Sequence, residues 1–261
     1  MYNGAVRFYD IPDSLIENLS LNGWSKIAWY RLFLPNLLDD EIKKVLYLDT
    51  DTIIAGQITD LFDLDMTDYS LAGCKDIMSF GKGIFRRLGY AYEYGYVCSG
   101  VMLLNLDYFR KNDLAKKIFD FAKANSEIIN FPDQDAINCV CHSSTLHLPL
   151  KYDILAPFLS DKDFFCQHTE EVAEILEDPR IIHYAGCNPW KKEVRRHYYH
   201  DVFWKYANII GGIHPVSIYS PKDKVIIAVK RLLARLGVKE YKKHLDKNRV
   251  VDFTHLKDLT L

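Results

Sequence analysis

With 261 residues, 49% of them hydrophobic, the chain can bury a sizeable core, which excludes a disordered tail and fits one large domain, with or without an appendage. Its 33 Lys and Arg nearly balance 35 Asp and Glu, and a net charge of -2 gives no reason to expect a nucleic acid partner. No apolar run reaches the ~18 residues of a membrane span, and the N-terminus lacks the basic-then-apolar order of a signal peptide, so the sequence reads as that of a cytoplasmic protein. The six cysteines stand in mostly apolar settings and read as reduced thiols. Cys139 and Cys141 have no second Cys or His pair at ligand spacing, which favours buried thiols over a metal pair.

In chain order, the residues alternate between short apolar strands and amphipathic helices, the pattern of an α/β fold. Ala5 to Tyr9 reads as a strand. Ser25 to Leu34 reads as a helix that Pro35 ends. Val45 to Leu48 reads as a buried strand, and further strands are expected at Leu71 to Cys74, Val101 to Leu106 and Ile181 to Tyr184. Between them the spacing of Leu114, Ile118, Phe121 and Ala122 predicts a helix with Asp113 as its N-cap. Pro132 and Asp133 open the next helix. After Trp190 the pattern loosens, and the stretch from Lys222 to Arg249 holds ten Lys and Arg against three Asp and Glu.

The sharpest chemical signal is Asp49-Thr50-Asp51, directly after Val45-Leu46-Tyr47-Leu48. Alternation along an extended backbone sends both carboxylates to the same side, at the strand end where α/β sheets put their ligands. Such a pair attracts a divalent cation, and hard oxygen ligands suit Mn²⁺ or Mg²⁺. Taken alone, the same tripeptide is also what a strand running into a turn looks like. The second signal is His183-Tyr184-Ala185-Gly186-Cys187-Asn188-Pro189-Trp190. His183 ends an apolar strand beside a Gly-containing turn, where its imidazole can complete a metal site and backbone amides can face an anion. A satisfied core histidine would explain His183 alone, but not its conjunction with the Asp pair and this turn.

These residues resemble the family-8 glycosyltransferases. Four blocks carry the likeness: Trp29-Tyr30-Arg31-Leu32 before Lys44-Val45-Leu46-Tyr47-Leu48-Asp49-Thr50-Asp51-Thr52; Ser99-Gly100-Val101-Met102-Leu103-Leu104-Asn105-Leu106; Asp133-Gln134-Asp135; and His183 to Trp190. They occur in family order over most of residues 5 to 191. The resemblance implies a nucleotide-diphospho-sugar transferase fold of the GT-A, Rossmann-like kind, with a mixed central sheet. A catalytic domain over 1–215, shortened at its N-terminus, would precede a helical, basic tail over 216–261. It implies Asp49, Asp51 and His183 as metal ligands, normally for Mn²⁺, and Asp133 and Gln134 lining the donor sugar, with Gln134 near the anomeric carbon. Arg31, Asp76, Cys98, Ser99, Gly186, Asn188 and Lys191 would contact donor or acceptor. Cys98 stands where many members place Asn, and Asn188 where many place Lys; Lys191 or Lys192 can compensate for the second.

The implied activity is hexose transfer, with retention, from UDP-galactose or UDP-glucose to a glycan or lipid-linked acceptor, as in lipopolysaccharide synthesis. Two other readings stand beside it. A remnant of such an enzyme would bind sugar or nucleotide without turnover. A glycoside hydrolase would use two carboxylates as acid and nucleophile and would survive chelation, but needs them farther apart than one intervening residue gives. In the tail, Val225, Ile226, Val229, Leu232, Leu233 and Leu236 can form an apolar face beside Lys230, Arg231 and Arg235, suited either to an anionic membrane surface or to docking on the protein's own core.

Overall fold

The computed structural model describes residues 5–12, 25–191, 194–195, 197–216, 221–236 and 249–250. Its contacts divide the chain into two units, Met1–Thr50 with Gln57–Asp153, and Asp51–Gly56 with Ile154–Leu261. Seven strands carry the sheets that matter for the site: β1 Lys44–Leu48, β2 Thr52–Ile54, β3 Leu71–Lys75, β4 Val97–Asn105, β5 Thr145–Leu148, β6 Ile154–Leu155 and β7 Ile181–His183.

In the first unit the sheet order is β1-β4-β3-β5. β4 runs antiparallel to both neighbours, with Leu46 opposite Leu103 and Ala72 opposite the same residue on the other side, while β3 and β5 are parallel. The sheet is therefore mixed. Position in the sheet explains burial. β4 is central, and its run Val97-Cys98-Ser99-Gly100-Val101-Met102-Leu103-Leu104 is buried throughout. β1 lies at the edge, and all five of its residues are only half-buried, which corrects the expectation of a buried strand.

Helices cover this sheet and pack an apolar core against it. Trp29 and Leu32, Met102 and Leu104 of β4, Ile118 and Ala122 of helix Leu114–Ala124, and Ala136 and Ile137 of helix Pro132–Cys141 pack together. Each large side chain fully buried here contributes roughly 1.5–3 kcal/mol. Two polar residues lock the entry and exit of the strands. Asn105 accepts from Tyr108 N (3.0 Å) and donates to the carbonyls of Met66 (2.7 Å) and Tyr69 (3.1 Å), so β4 ends there and helix Leu106–Asn112 begins. The guanidinium of Arg110 on that helix donates to the carbonyls of Pro35, Leu38 and Ile42, gathering the loop that delivers the chain into β1.

In the second unit β2 pairs antiparallel with β7, Thr52 opposite His183, and β6 pairs parallel with β7. Val172 and Ile175 of helix Thr169–Glu177 are buried in this unit. A long helix spans Pro221–Arg235.

Four local expectations are corrected. Residues 5–12 form no strand: Val6 and Phe8 are exposed, and the alternating pattern has no partner strand among the described residues to satisfy its backbone. Pro35 does not end a helix; Lys26–Phe33 is a 3₁₀ helix, and Pro35 sits in the first turn of the α-helix Leu34–Leu37, where its missing N–H costs nothing. Asp113 makes no side-chain cap bond. It already closes helix Leu106–Asn112 in the left-handed conformation (φ 50°), its amide bonded to Arg110 O, so its side chain cannot serve the next helix as well. β4 begins at Val97, four residues before the expected Val101. The polar-looking Cys98-Ser99-Gly100 hid its first half.

Candidate active site

In the first unit, six of the sequence-marked residues meet at the end of β1 and the start of β4. Arg31, 4% exposed, is the hub. Its Nη2 donates to Asp49 Oδ1 (2.9 Å), its Nη1 to Ser99 O, and its Nε to Ala28 O (2.9 Å) while lying 3.2 Å from Asp133 Oδ2. The guanidinium lies over the ring of Tyr47, 4.3 Å from its centroid, and the Tyr47 hydroxyl donates to Asp49 Oδ1 (2.7 Å). Burial alone would weaken the charge on Arg31. The carboxylates of Asp133 and Asp49 outweigh it and hold the guanidinium more firmly protonated than usual. Burial pushes the Asp133 carboxyl upward even against the pull of Arg31.

Gln134 joins this cluster to β3. Its Oε1 accepts from Ser99 N (3.0 Å), and its Nε2 donates to Asp76 Oδ2 (3.2 Å). Asp76 is itself fixed, its other carboxylate oxygen accepting from Met78 N (2.9 Å) as the cap of the 3₁₀ helix Ile77–Phe80. Cys98, next to Ser99 on β4, is buried.

The second unit holds Asp51, His183, Gly186, Asn188 and Lys191. Pairing of β2 with β7 puts Asp51 Oδ1 3.4 Å from Nε2 of the buried His183, and Tyr184 N donates to Asp51 O (2.9 Å). After β7 the chain makes two tight turns, closed by Cys187 N to Tyr184 O (2.8 Å) and Lys191 N to Asn188 O (2.9 Å). Gly186 (φ 67°) and Asn188 (φ 45°) take the left-handed conformations that these turns require, and glycine and asparagine are the residues that tolerate them. Lys191 forms a bridge with Val216.

Three residues that sequence reasoning passed over complete the first-unit site. Tyr47 lies two residues before Asp49, and strand alternation alone puts them on one side. Asp135, quoted in the Asp133-Gln134-Asp135 block without a role, is fully buried and accepts from Arg87 Nη1 (2.7 Å) and Nη2 (3.1 Å), Tyr96 Oη (2.7 Å), Asn130 N (2.7 Å) and Phe131 N (2.9 Å). It ties the start of helix Pro132–Cys141 to its surroundings, and the cap position of that helix is Phe131. Asn138, one turn on from Gln134, exchanges two bonds with the Val97 backbone (2.7 and 2.8 Å) and holds the helix in register with β4.

The mixed α/β fold of this chain matches that of a solved glycosyltransferase. The galactosyltransferase LgtC, solved with donor and acceptor sugar analogues, matches with a TM-score of 0.67 at 23% identity over 78% of this chain and 74% of its own. The model of glycosyl transferase family 8 matches residues 6–194, and the chain belongs to that family. Among curated relatives, lipopolysaccharide 1,2-glucosyltransferase of Escherichia coli K12 is 31% identical over 222 residues, 84% of this chain but just under two thirds (64%) of the relative. General stress protein A of Bacillus subtilis 168 is 24% identical over 226 residues, 79% of this chain and 76% of the relative.

Proposed function

We propose that the chain transfers a hexose from UDP-galactose or UDP-glucose to a glycan or lipid-linked glycan acceptor, with retention, in surface-polysaccharide or lipopolysaccharide synthesis. The observation that carries this reading is the Arg31–Asp49–Asp133 cluster joined through Ser99 to Gln134 and Asp76, in a chain of glycosyl transferase family 8. A buried arginine shared by two acids at a strand end is a preorganised electrostatic environment of the kind that charge transfer to a departing diphosphate needs.

Asp49, Asp51 and His183 fit a divalent cation, Mn²⁺ or Mg²⁺. Asp51 and His183 already face each other at 3.4 Å, Asp49 stands two residues upstream, and two carboxylates with one imidazole are a donor set both ions accept. When bound, the cation supplies charge neutralisation for the two phosphates. Arg31 holds Asp49 in place. Asp133 and Gln134 line the donor sugar, Gln134 nearest the reacting carbon, with its amide oriented from both ends by Ser99 and Asp76. The amides of the turn around Gly186 and Asn188, with Lys191, serve the diphosphate, and Cys98 and Asp76 lie towards the sugars. In the transfer, the bond from the anomeric carbon to the diphosphate breaks, the bond to the acceptor oxygen forms on the same face, and the acceptor proton passes to the departing diphosphate.

Residues 1–215 are taken as the catalytic domain and 216–261 as a basic tail. No described helix is long and apolar enough to cross a membrane. In helix Pro221–Arg235 and the residue after it, Val225, Val229, Leu232 and Leu236 are exposed at helical spacing. With the Lys and Arg of this segment they support peripheral attachment to an anionic bilayer on its cytoplasmic side. The test of the activity is release or transfer of labelled hexose from the two donors in Mn²⁺, with delipidated core oligosaccharide of rough-type lipopolysaccharide as acceptor. Metal-dependent turnover of either donor is expected; absence of turnover with both would sink the reading.

A further inference from the structure

The loop between β3 and β4 displays aromatic rings that the reaction proposed above does not use. Tyr92 is 44% exposed and Tyr94 43% exposed. Neither is loose. Tyr92 packs edge-on against Phe85, centroids 5.0 Å apart, and Tyr94 packs edge-on against His142 at 4.6 Å, while His142 stacks on Tyr90 at 4.7 Å with the rings 7° from parallel. The Tyr90 hydroxyl donates to Gly95 O (3.1 Å), and His147 Nε2 donates to Tyr94 O (2.9 Å). Gly95 has φ 67°, and a Cβ there would stand 2.8 Å from the His147 ring, so this backbone path needs glycine. The rings are thus held rigid while their outer faces stay in water.

Rigid tyrosines with one face packed and one face wet present amphipathic contact area at little entropic cost on binding. The chemistry that fits is a pyranose, whose C–H face lies on the ring while its hydroxyls reach the phenols and the flanking Lys75. Position supports the same partner. Tyr96 O accepts from Asp76 N (2.9 Å) and Tyr96 N donates to Ser79 Oγ (3.0 Å), so the aromatic loop runs straight into the backbone that carries Asp76, the residue Gln134 touches. We propose that Tyr92 and Tyr94 form a stacking platform for sugar rings of the acceptor glycan beyond the one that reacts. The inference rests on the transferase reading above and names where its acceptor lies.

The experiment titrates two probes separately, delipidated core oligosaccharide of rough-type lipopolysaccharide and UDP with Mn²⁺, into the whole chain and two double variants. In Tyr92→Ala with Tyr94→Ala, oligosaccharide affinity is expected to fall about tenfold or more, because two rings' worth of contact area is lost. UDP affinity should be unchanged. Tyr92→Phe with Tyr94→Phe keeps the rings and should stay within about threefold of wild type, which separates stacking from misfolding. Unchanged oligosaccharide affinity in the alanine variant overturns the platform, as does a wild-type chain that binds UDP but no oligosaccharide. Loss of UDP binding in the alanine variant alone would make the rings a nucleobase platform and overturn the proposal too. A wild-type chain that binds no UDP removes the transferase reading, and the oligosaccharide titration then decides the platform by itself.

Discussion

Two arginine–aspartate clusters meet the first turn of one helix, and they are built for different ends. Asp135 is 0% exposed and takes five hydrogen bonds, two of them from Arg87, so its charge is wholly consumed in holding the helix start. Two residues earlier, Asp133 shares Arg31 with Asp49, whose side chain is 29% exposed. The first arrangement spends a buried charge on architecture. The second leaves a cationic hub between two acids at the mouth of the sheet, where a ligand can join. Satisfaction of the buried charge, more than residue type, tells the structural acid from the candidate functional one.

The largest expected effect breaks the functional side. Asp49→Asn with Asp51→Asn should abolish Mn²⁺-dependent UDP binding while thermal unfolding stays near that of wild type, because an amide oxygen at position 49 can still accept from Arg31 and Tyr47 and Asp133 remains beside the guanidinium. Metal-dependent affinity retained in this variant would refute the ligand assignment. On the structural side, Asp135→Ala should cost about 3–5 kcal/mol of unfolding free energy, since Arg87 and the buried Tyr96 hydroxyl lose their acceptor. Urea unfolding measures it, and a loss under about 1 kcal/mol would deny Asp135 the role of clamp.

A third effect belongs to the second unit. Burial holds His197 down to about 4, with the Ile154 carbonyl opposing and the His183 and His200 charges assisting; its Nε2 donates to Ile154 O (2.9 Å) and its Nδ1 accepts from Tyr199 N (3.1 Å), which fixes the neutral ring. The folded value lies below the unfolded one near 6.5, so this stabilisation is complete above pH 6.5 and is lost as pH falls towards 4, by about 3 kcal/mol in all. NMR titration of the His197 ring should show no protonation above pH 5.5; titration near 6.5 would contradict the account. The smallest effect concerns the tail: deleting 222–261 should lower pelleting with anionic vesicles several-fold without changing UDP affinity. Unchanged pelleting would remove the membrane surface as a partner.

Much of this was legible in the sequence. Val45–Leu48, Leu71–Cys74 and Ile181–Tyr184 announced their strands by apolar runs, the last extending one residue past the observed β7, and the family was legible in four blocks taken together. What escaped reading depends on partners far along the chain. Ala5–Tyr9 has the pattern of a strand, but a pattern cannot supply the neighbour that makes one. Asp113 has the chemistry of a cap and is in a backbone conformation set by the preceding helix. Asp135 looks like its neighbour Asp133, and only the arrival of Arg87 and Tyr96 from elsewhere gives it a different task.

We propose that a nucleotide diphosphate is held through a cation at Asp49, Asp51 and His183. Calorimetric titration of the purified chain with UDP, with and without Mn²⁺, tests it most directly. The account expects binding that requires the metal and is abolished by chelation; equal binding in both conditions, or none in either, would contradict it.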